Sequence, residues 1–417
     1  MMTRSPYIVF LILLIFFVIS FITNIIGPLI PQIIESFDLS LTLVALIPFA
    51  FFIAYGVMSI PAGMLLLKFK EKHLIVLAFI VIFFGAILLA LLPSYLTALF
   101  SFFIIGCGMA VLQVVINPLL RVTGGEEHFA MYAVFAQLVF GFASFLSPLV
   151  YTQLASETFF TTEHSFLHTL STFLSLQELP WIFLYFLFSV ISLFMILILI
   201  FSKFPKVELK SNEKSGALGT HIKLFKNKQI QLFFLGMLCY VGAEQGIANW
   251  ISQFLNVYHG IDPKILGAAT ISDFWGLMTL GGIIGLILLK IFDSRWVLIT
   301  FSGLAMICLI LALFGPAEIA LICFPLTGLF LSVMYPILFS LTLNSFADHH
   351  GSISGILVTG IIGGAILPLI IGWFGDAVGL RSAMCFLIFP LAFIVSIGFW
   401  AKPLITNKKL SWFYKES

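Results

Sequence analysis

Charge is almost missing from this sequence. Of its 417 residues, 9% are Asp, Glu, Lys or Arg, against about a quarter in an ordinary soluble domain. With 61% of the residues hydrophobic, there is more apolar surface than one water-soluble core can enclose, so the solvent for this chain is lipid. A net charge of +2 gives no reason to expect a nucleic-acid partner. Cysteine is scarce. Cys107, Cys239, Cys308, Cys323 and Cys385 are scattered through apolar sequence with no CxxC or metal-ligand spacing, which reads as small apolar residues, with no disulfide framework and no metal. No Ser/His/Asp grouping, HExxH or P-loop is present. That points away from an enzyme, from a bound cofactor and from ATP-driven transport within the chain. The pairs Gly281-Gly282 and Gly363-Gly364 follow no strand, so they suit close helix packing or bending rather than phosphate binding.

What the sequence has is long apolar runs. A spanning helix needs about 20 mainly apolar residues. Twelve segments qualify: 7–34, 42–67, 73–92, 95–120, 128–153, 179–202, 229–257, 265–290, 296–314, 317–345, 352–374 and 380–401. The first follows Arg4 but runs well past a signal-peptide core and ends at no small-residue cleavage site, so it reads as a span. Residues 154–178 are polar and predict a longer loop. Residues 203–228 carry seven lysines and divide the chain into a six-span bundle (1–202), a basic cytoplasmic linker (203–228) and a second six-span bundle (229–417).

The two halves repeat each other. Gly63 and Lys68 correspond to Gly285 and Lys290 at an offset of 222, Gln32 to Gln253 at 221, Asn117-Pro118 to Tyr335-Pro336 at 218, and Pro148 to Pro368 at 220. Two like multi-span halves are the pattern of a transporter that rocks two bundles about a central site. With the N-terminus placed in the cytoplasm, only Lys264 and Arg381 of the 20 Lys and Arg residues fall outside. This asymmetry predicts cytoplasmic termini in a plasma (inner) membrane. His73, His128 and His221 fall in or beside loops and read as solvated.

Polar groups inside spans are costly and face the bundle interior or a water-filled cavity. In the seventh segment Gln245, Asn249 and Gln253 recur at i, i+4, i+8, with Glu244 beside that stripe near mid-span and Trp250 next to Asn249. In the fourth, Gln113, Asn117 and Arg121 repeat the spacing. Gln137, Asn24, Asn344 and the pair Asp273 and Trp275 complete the set. Amides bind hydroxyl groups, and an aromatic face covers the C–H side of a sugar ring. The structural alternative is that such amides only join helices. Asn344, near a helix end, fits that alternative, and Arg121 and Glu35, at span ends, fit it or a gating role. Glu244 is the one carboxylate placed near mid-membrane, where it can exchange a proton or help bind Na⁺. Asp273 is the next candidate, as an ion pair or an outer gate.

The segment GMLLLKFKEK and its repeat near Lys290 resemble, in degenerate form, the loop motif of the major facilitator superfamily. The motifs NPLLR (Asn117 to Arg121), CYVGAEQGIANW (Cys239 to Trp250), YPILFSLTLN and GGAILPLIIGWFGD (Gly363 to Asp376) resemble its fucose-permease branch. That branch includes proton-coupled fucose carriers, bacterial glucose/galactose carriers and sodium-dependent glucose transporters. The resemblance implies an all-α membrane protein with twelve transmembrane helices in two pseudo-symmetric six-helix bundles, each built from inverted three-helix units. Position by position it is mixed. The acid that fucose carriers place four residues before a Pro-Gln is Gly27 here. Their Glu four residues before the Asn-Pro is Gln113. Their substrate Gln on the fifth helix is Gln137, but the Asn three residues later is Phe140.

The expectation is a monomeric secondary active importer of a neutral hexose or related sugar, driven by H⁺ or Na⁺. Gln113, Asn117, Gln137, Gln245, Asn249, Trp250 and Asn24 would bind substrate, and Glu244 or Asp273 would couple the ion. The competing readings are an exporter of an amphipathic metabolite or drug on the same fold, and a transport-dead membrane sensor.

Overall fold

Prolines mark several of the places where spanning helices are interrupted. A proline lacks the N–H that its helix needs, and its ring clashes with the carbonyl four residues earlier. Pro28 stands four residues after Asn24, and the first span is split there into Pro6–Thr23 and Ile26–Phe37. Pro336 stands four after Ser332, and the tenth is split into Ala317–Leu331 and Met334–Leu343. In the twelfth, a 3₁₀ turn at Cys385–Leu387 precedes Pro390. Pro48, Pro61 and Pro148 lie in helices that stay continuous. At these two proline-linked breaks a serine hydroxyl bonds to a helix carbonyl. Ser147 Oγ donates to the Phe21 carbonyl at 2.7 Å, and Ser332 Oγ to the Leu329 carbonyl at 2.7 Å. The carbonyls at helix ends need such partners.

The seventh span breaks without a proline. Helix Lys228–Ala248 tightens at its end, with Trp250 N–H donating to the Ile247 carbonyl, and the chain resumes as Ile251–His259. The Trp250 indole Nε1 donates to the Pro368 carbonyl of the eleventh span at 3.3 Å, which anchors the break.

The computed structural model describes residues 6–124, 129–155, 179–204 and 218–404. Among them all regular structure is helical. Twelve helical segments are long and apolar enough to cross a membrane, from Pro6–Phe37 to Leu380–Trp400, in the places read from the sequence. The polar loop after the fifth span and most of the basic linker (156–178 and 205–217) lie outside the described residues. The linker's last part forms a short helix, Leu218–Phe225, which composition alone does not separate.

Within the first half the second, third and fourth spans pack together, the sixth lies on the third and the first on the fifth. In the second half the eighth, ninth and tenth pack together, and the seventh lies on the eleventh and twelfth. The halves meet along two seams, second span with eleventh and fifth with eighth, and where the first touches the seventh. The seams are tight at one end. Asp376, near the end of the eleventh span, accepts hydrogen bonds from Leu41 N and Thr42 N at 2.9 Å each and from Thr42 Oγ1 at 2.5 Å, at the start of the second. Ser272 Oγ of the eighth span donates to the Phe145 carbonyl of the fifth at 2.6 Å. Going down the eighth span, Ser272, Gly276, Thr279, Ile283 and Leu286 share one helical face. Ser272 is 1% exposed, whereas Ile283 and Leu286 are 40% and 45% exposed. The fifth–eighth seam therefore parts below Thr279.

Candidate functional site

The breaks in the first and seventh spans meet. A Cβ built on Gly27 would lie 2.5 Å from the Ala248 carbonyl oxygen and 3.4 Å from Asn249 Cα. Only a residue without a side chain lets the end of helix Lys228–Ala248 come this close to the start of helix Ile26–Phe37. The carbonyl (negative) end of one half-helix thus faces the N–H (positive) end of the other. Discontinuous helices meeting at one depth are how membrane carriers expose backbone polar groups to a ligand or ion.

One turn before the seventh-span break sits a carboxylate cluster. The Tyr240 hydroxyl donates to Glu244 Oε2. Gln245 Nε2 donates to Glu244 Oε1 at 3.1 Å. The Tyr335 ring of the tenth span lies 5.9 Å from that of Tyr240. Both carboxylate oxygens are thereby held in place. Glu244 is only partly buried, while Gln245 and Asn249 are buried. Gly364 of the eleventh span lies between Gln245 and the Phe52 ring of the second, which puts Gln245 at the junction of the two halves. Asn249 Nδ2 is buried with no protein partner, a donor available to a ligand or to water.

In the first half, Asn24 Nδ2 donates to Ser144 Oγ at 2.7 Å and lies 3.3 Å from Ser20 Oγ, while Ser20 and Ser144 hydroxyls share a 2.6 Å bond. Asn24 therefore ties the first-span break to the fifth span, as Trp250 ties the seventh-span break to the eleventh. Gln137 is exposed, one helical turn before Gly141, whose added Cβ would strike Thr279 of the eighth span. It thus lies on the seam face where the seam opens. Gln113 is half-buried. The side chains of Asn117 and Arg121 lie outside the described residues.

The structure unites Glu244 and Gln245 and sets Asn249 at the break beyond them. Gln137 lies instead on the fifth-span face of the fifth–eighth seam. Trp250, expected to stack on a ligand or gate it, is fully buried against Pro368. Asp273 is exposed on the eighth span. The seventh-span stripe is not one helical face, since Gln245 and Gln253 stand on opposite sides of the break. Sequence reasoning passed over Tyr240 and the role of Phe52. The i, i+4 spacing of Tyr240 and Glu244 was the available signal for the first.

The sequence pattern of the Major Facilitator Superfamily matches residues 12–361. A glucose/galactose transporter of Brucella abortus biovar 1 (strain 9-941) is 30% identical over 394 residues, covering 92% of each chain. The L-fucose-proton symporter of Escherichia coli (strain K12) is 26% identical over 418 residues, again covering 92% of each. The crystal structure of this fucose carrier in an outward conformation superposes with a TM-score of 0.68 at 24% identity, covering 95% of this chain and 99% of that one. A bacterial homolog of the human lysosomal transporter Spinster, inward-facing and occupied, superposes with a TM-score of 0.79 at 17% identity, covering 95% and 97%. The chain belongs to the Major Facilitator Superfamily.

Proposed function

We propose that this member of the superfamily is a secondary active transporter that carries a neutral hexose or related sugar into the cell by alternating access, coupled to H⁺ or Na⁺. The substrate class is supported by kinship with relatives named for glucose, galactose and L-fucose, and by amides set around the meeting point of two broken helices. The observation that carries the coupling is the cluster of Tyr240, Glu244 and Gln245 next to the seventh-span break.

In this reading Gln245 and Asn249 hold sugar hydroxyls from the second half. Gln113, Asn117 and Gln137 hold them from the first. Asn24 and Trp250 shape the site by fixing the two breaks. Glu244 takes the proton or helps bind Na⁺, and its contact with Gln245 passes the change of charge to the sugar site. An ion drives the cycle only if it binds the two facing states differently, and Glu244 stands one turn before the break where the two halves touch. The parted end of the seam faces the cytoplasm if the lysine and arginine asymmetry sets the orientation.

The test is uptake of labelled glucose, galactose and L-fucose into proteoliposomes under an imposed proton or sodium gradient. Gradient-driven accumulation of at least one sugar is expected. Accumulation of none, with binding of none, would overturn the reading.

A further inference from the structure

Two adjoining cavities open on the flank of the first half that is turned away from the second, away from the sugar path, where the start of the third span (Glu71–Leu91) meets the end of the sixth (Phe183–Phe201). The first, about 350 Å³, is lined by Lys70, Glu71, Lys72, His73, Ser202 and Lys203. Its three lysines face one glutamate. Lys72 Nζ donates to the Ile200 and Ser202 carbonyls at 2.7 and 2.8 Å. These bonds fix the ammonium at the mouth and leave its third donor for a ligand. Ser202 is held from its other side by the Tyr7 hydroxyl at 2.9 Å, so the basic mouth is built on three spans. The second cavity, about 310 Å³, shares Lys72 and His73 and continues along Val76, Leu77, Ile80 and Ile200. Leu77 is 52% exposed. From His73 to Ile80 the helix rises about 10 Å, so the apolar wall descends into the acyl region just below the basic mouth.

A basic mouth above an apolar channel at a membrane interface matches one chemistry. We infer that this groove binds a diacyl phospholipid with an anionic phosphodiester headgroup. The headgroup lies among Lys70, Lys72 and Lys203, and one acyl chain lies on Leu77 and Ile80. A free phosphate satisfies the lysines but not the wall, and a zwitterionic lipid satisfies the wall but brings its own cation to the lysines. Basic pockets between spans at the interface hold anionic headgroups in this way.

The test uses the full chain, delipidated in detergent, with native mass spectrometry to measure retention of dioleoylphosphatidylglycerol, dioleoylphosphatidylcholine and glycerophosphate. Phosphatidylglycerol should be retained well above the other two. Lys70→Gln with Lys203→Gln should lower that retention about fivefold per lysine, roughly 25-fold together, and leave phosphatidylcholine unchanged. Should the double variant not fold, Leu77→Asn provides the second test. It should weaken phosphatidylglycerol retention and not that of glycerophosphate. Equal retention of the two lipids by the wild type, unchanged retention by the double variant, or glycerophosphate held as well as the lipid would each overturn the inference.

Discussion

Gly27 on the first span rests against the backbone carbonyl of Ala248 on the seventh, with room for no side-chain carbon between them. The contact joins the two helix breaks and lies four residues beyond Glu244. Where the resemblance to fucose carriers calls for an acid, this chain has a close helix–helix contact. Its carboxylate stands instead on the opposing span.

Gly27→Ala therefore should prise the two breaks apart. Overpacking of this kind costs about 1–3 kcal/mol, and here the cost falls on the closed end of the seams. A cysteine at Gln253, buried at that end, should react faster with a membrane-impermeant maleimide in the Gly27→Ala background. An unchanged rate would show that the contact does not hold that end shut.

Asp376→Ala removes three hydrogen bonds that cross from the eleventh span to the start of the second. Bonds to a charged acceptor contribute about 1.5–3 kcal/mol, and the start of the second span also favours a negative charge. Spin labels at Leu39 and Val378 should show a longer distance distribution in the variant, with Asp376→Asn intermediate. Identical distributions for all three proteins would remove Asp376 from the closure.

Much of the fold was legible in the sequence, because lipid imposes a single rule on every span: about 20 apolar residues with internally satisfied backbone. The breaks at Asn24 and Ser332 also follow from Pro28 and Pro336. The break at Asn249 does not, since no proline causes it and the Pro368 carbonyl that anchors its Trp250 lies 118 residues on from that tryptophan. Asp376 could be read from the GWFGD motif, but not its bonds to Thr42, 334 residues away. Glu244 and Gln245 were found because polar residues stand out in apolar sequence. Tyr240 was not, since tyrosine is ordinary there.

Gln245→Ala and Asn249→Ala should each weaken binding of the transported sugar by about 1–3 kcal/mol, the cost of leaving hydroxyl partners unpaired. Isothermal titration of purified variants measures it. Wild-type affinity in both would move the sugar away from the seventh-span break.

Orientation rests on the placement of lysine and arginine. Cysteines at Ser211 and Ser156, both outside the described residues, should be labelled only from the inside and only from the outside of the membrane, respectively. Labelling of both from one side, or the reverse pattern, would contradict cytoplasmic termini.

The most direct measurement compares Glu244→Gln with wild type in proteoliposomes, in both gradient-driven uptake and sugar-for-sugar exchange. Glutamine keeps the size and shape, with its oxygen able to accept from Gln245 and its NH2 to donate to the Tyr240 hydroxyl, but it cannot gain or lose a proton, nor offer a negative charge to Na⁺. The variant should exchange sugar across the membrane yet fail to accumulate it against a gradient. Full gradient-driven accumulation by Glu244→Gln would place the coupling elsewhere and contradict the account.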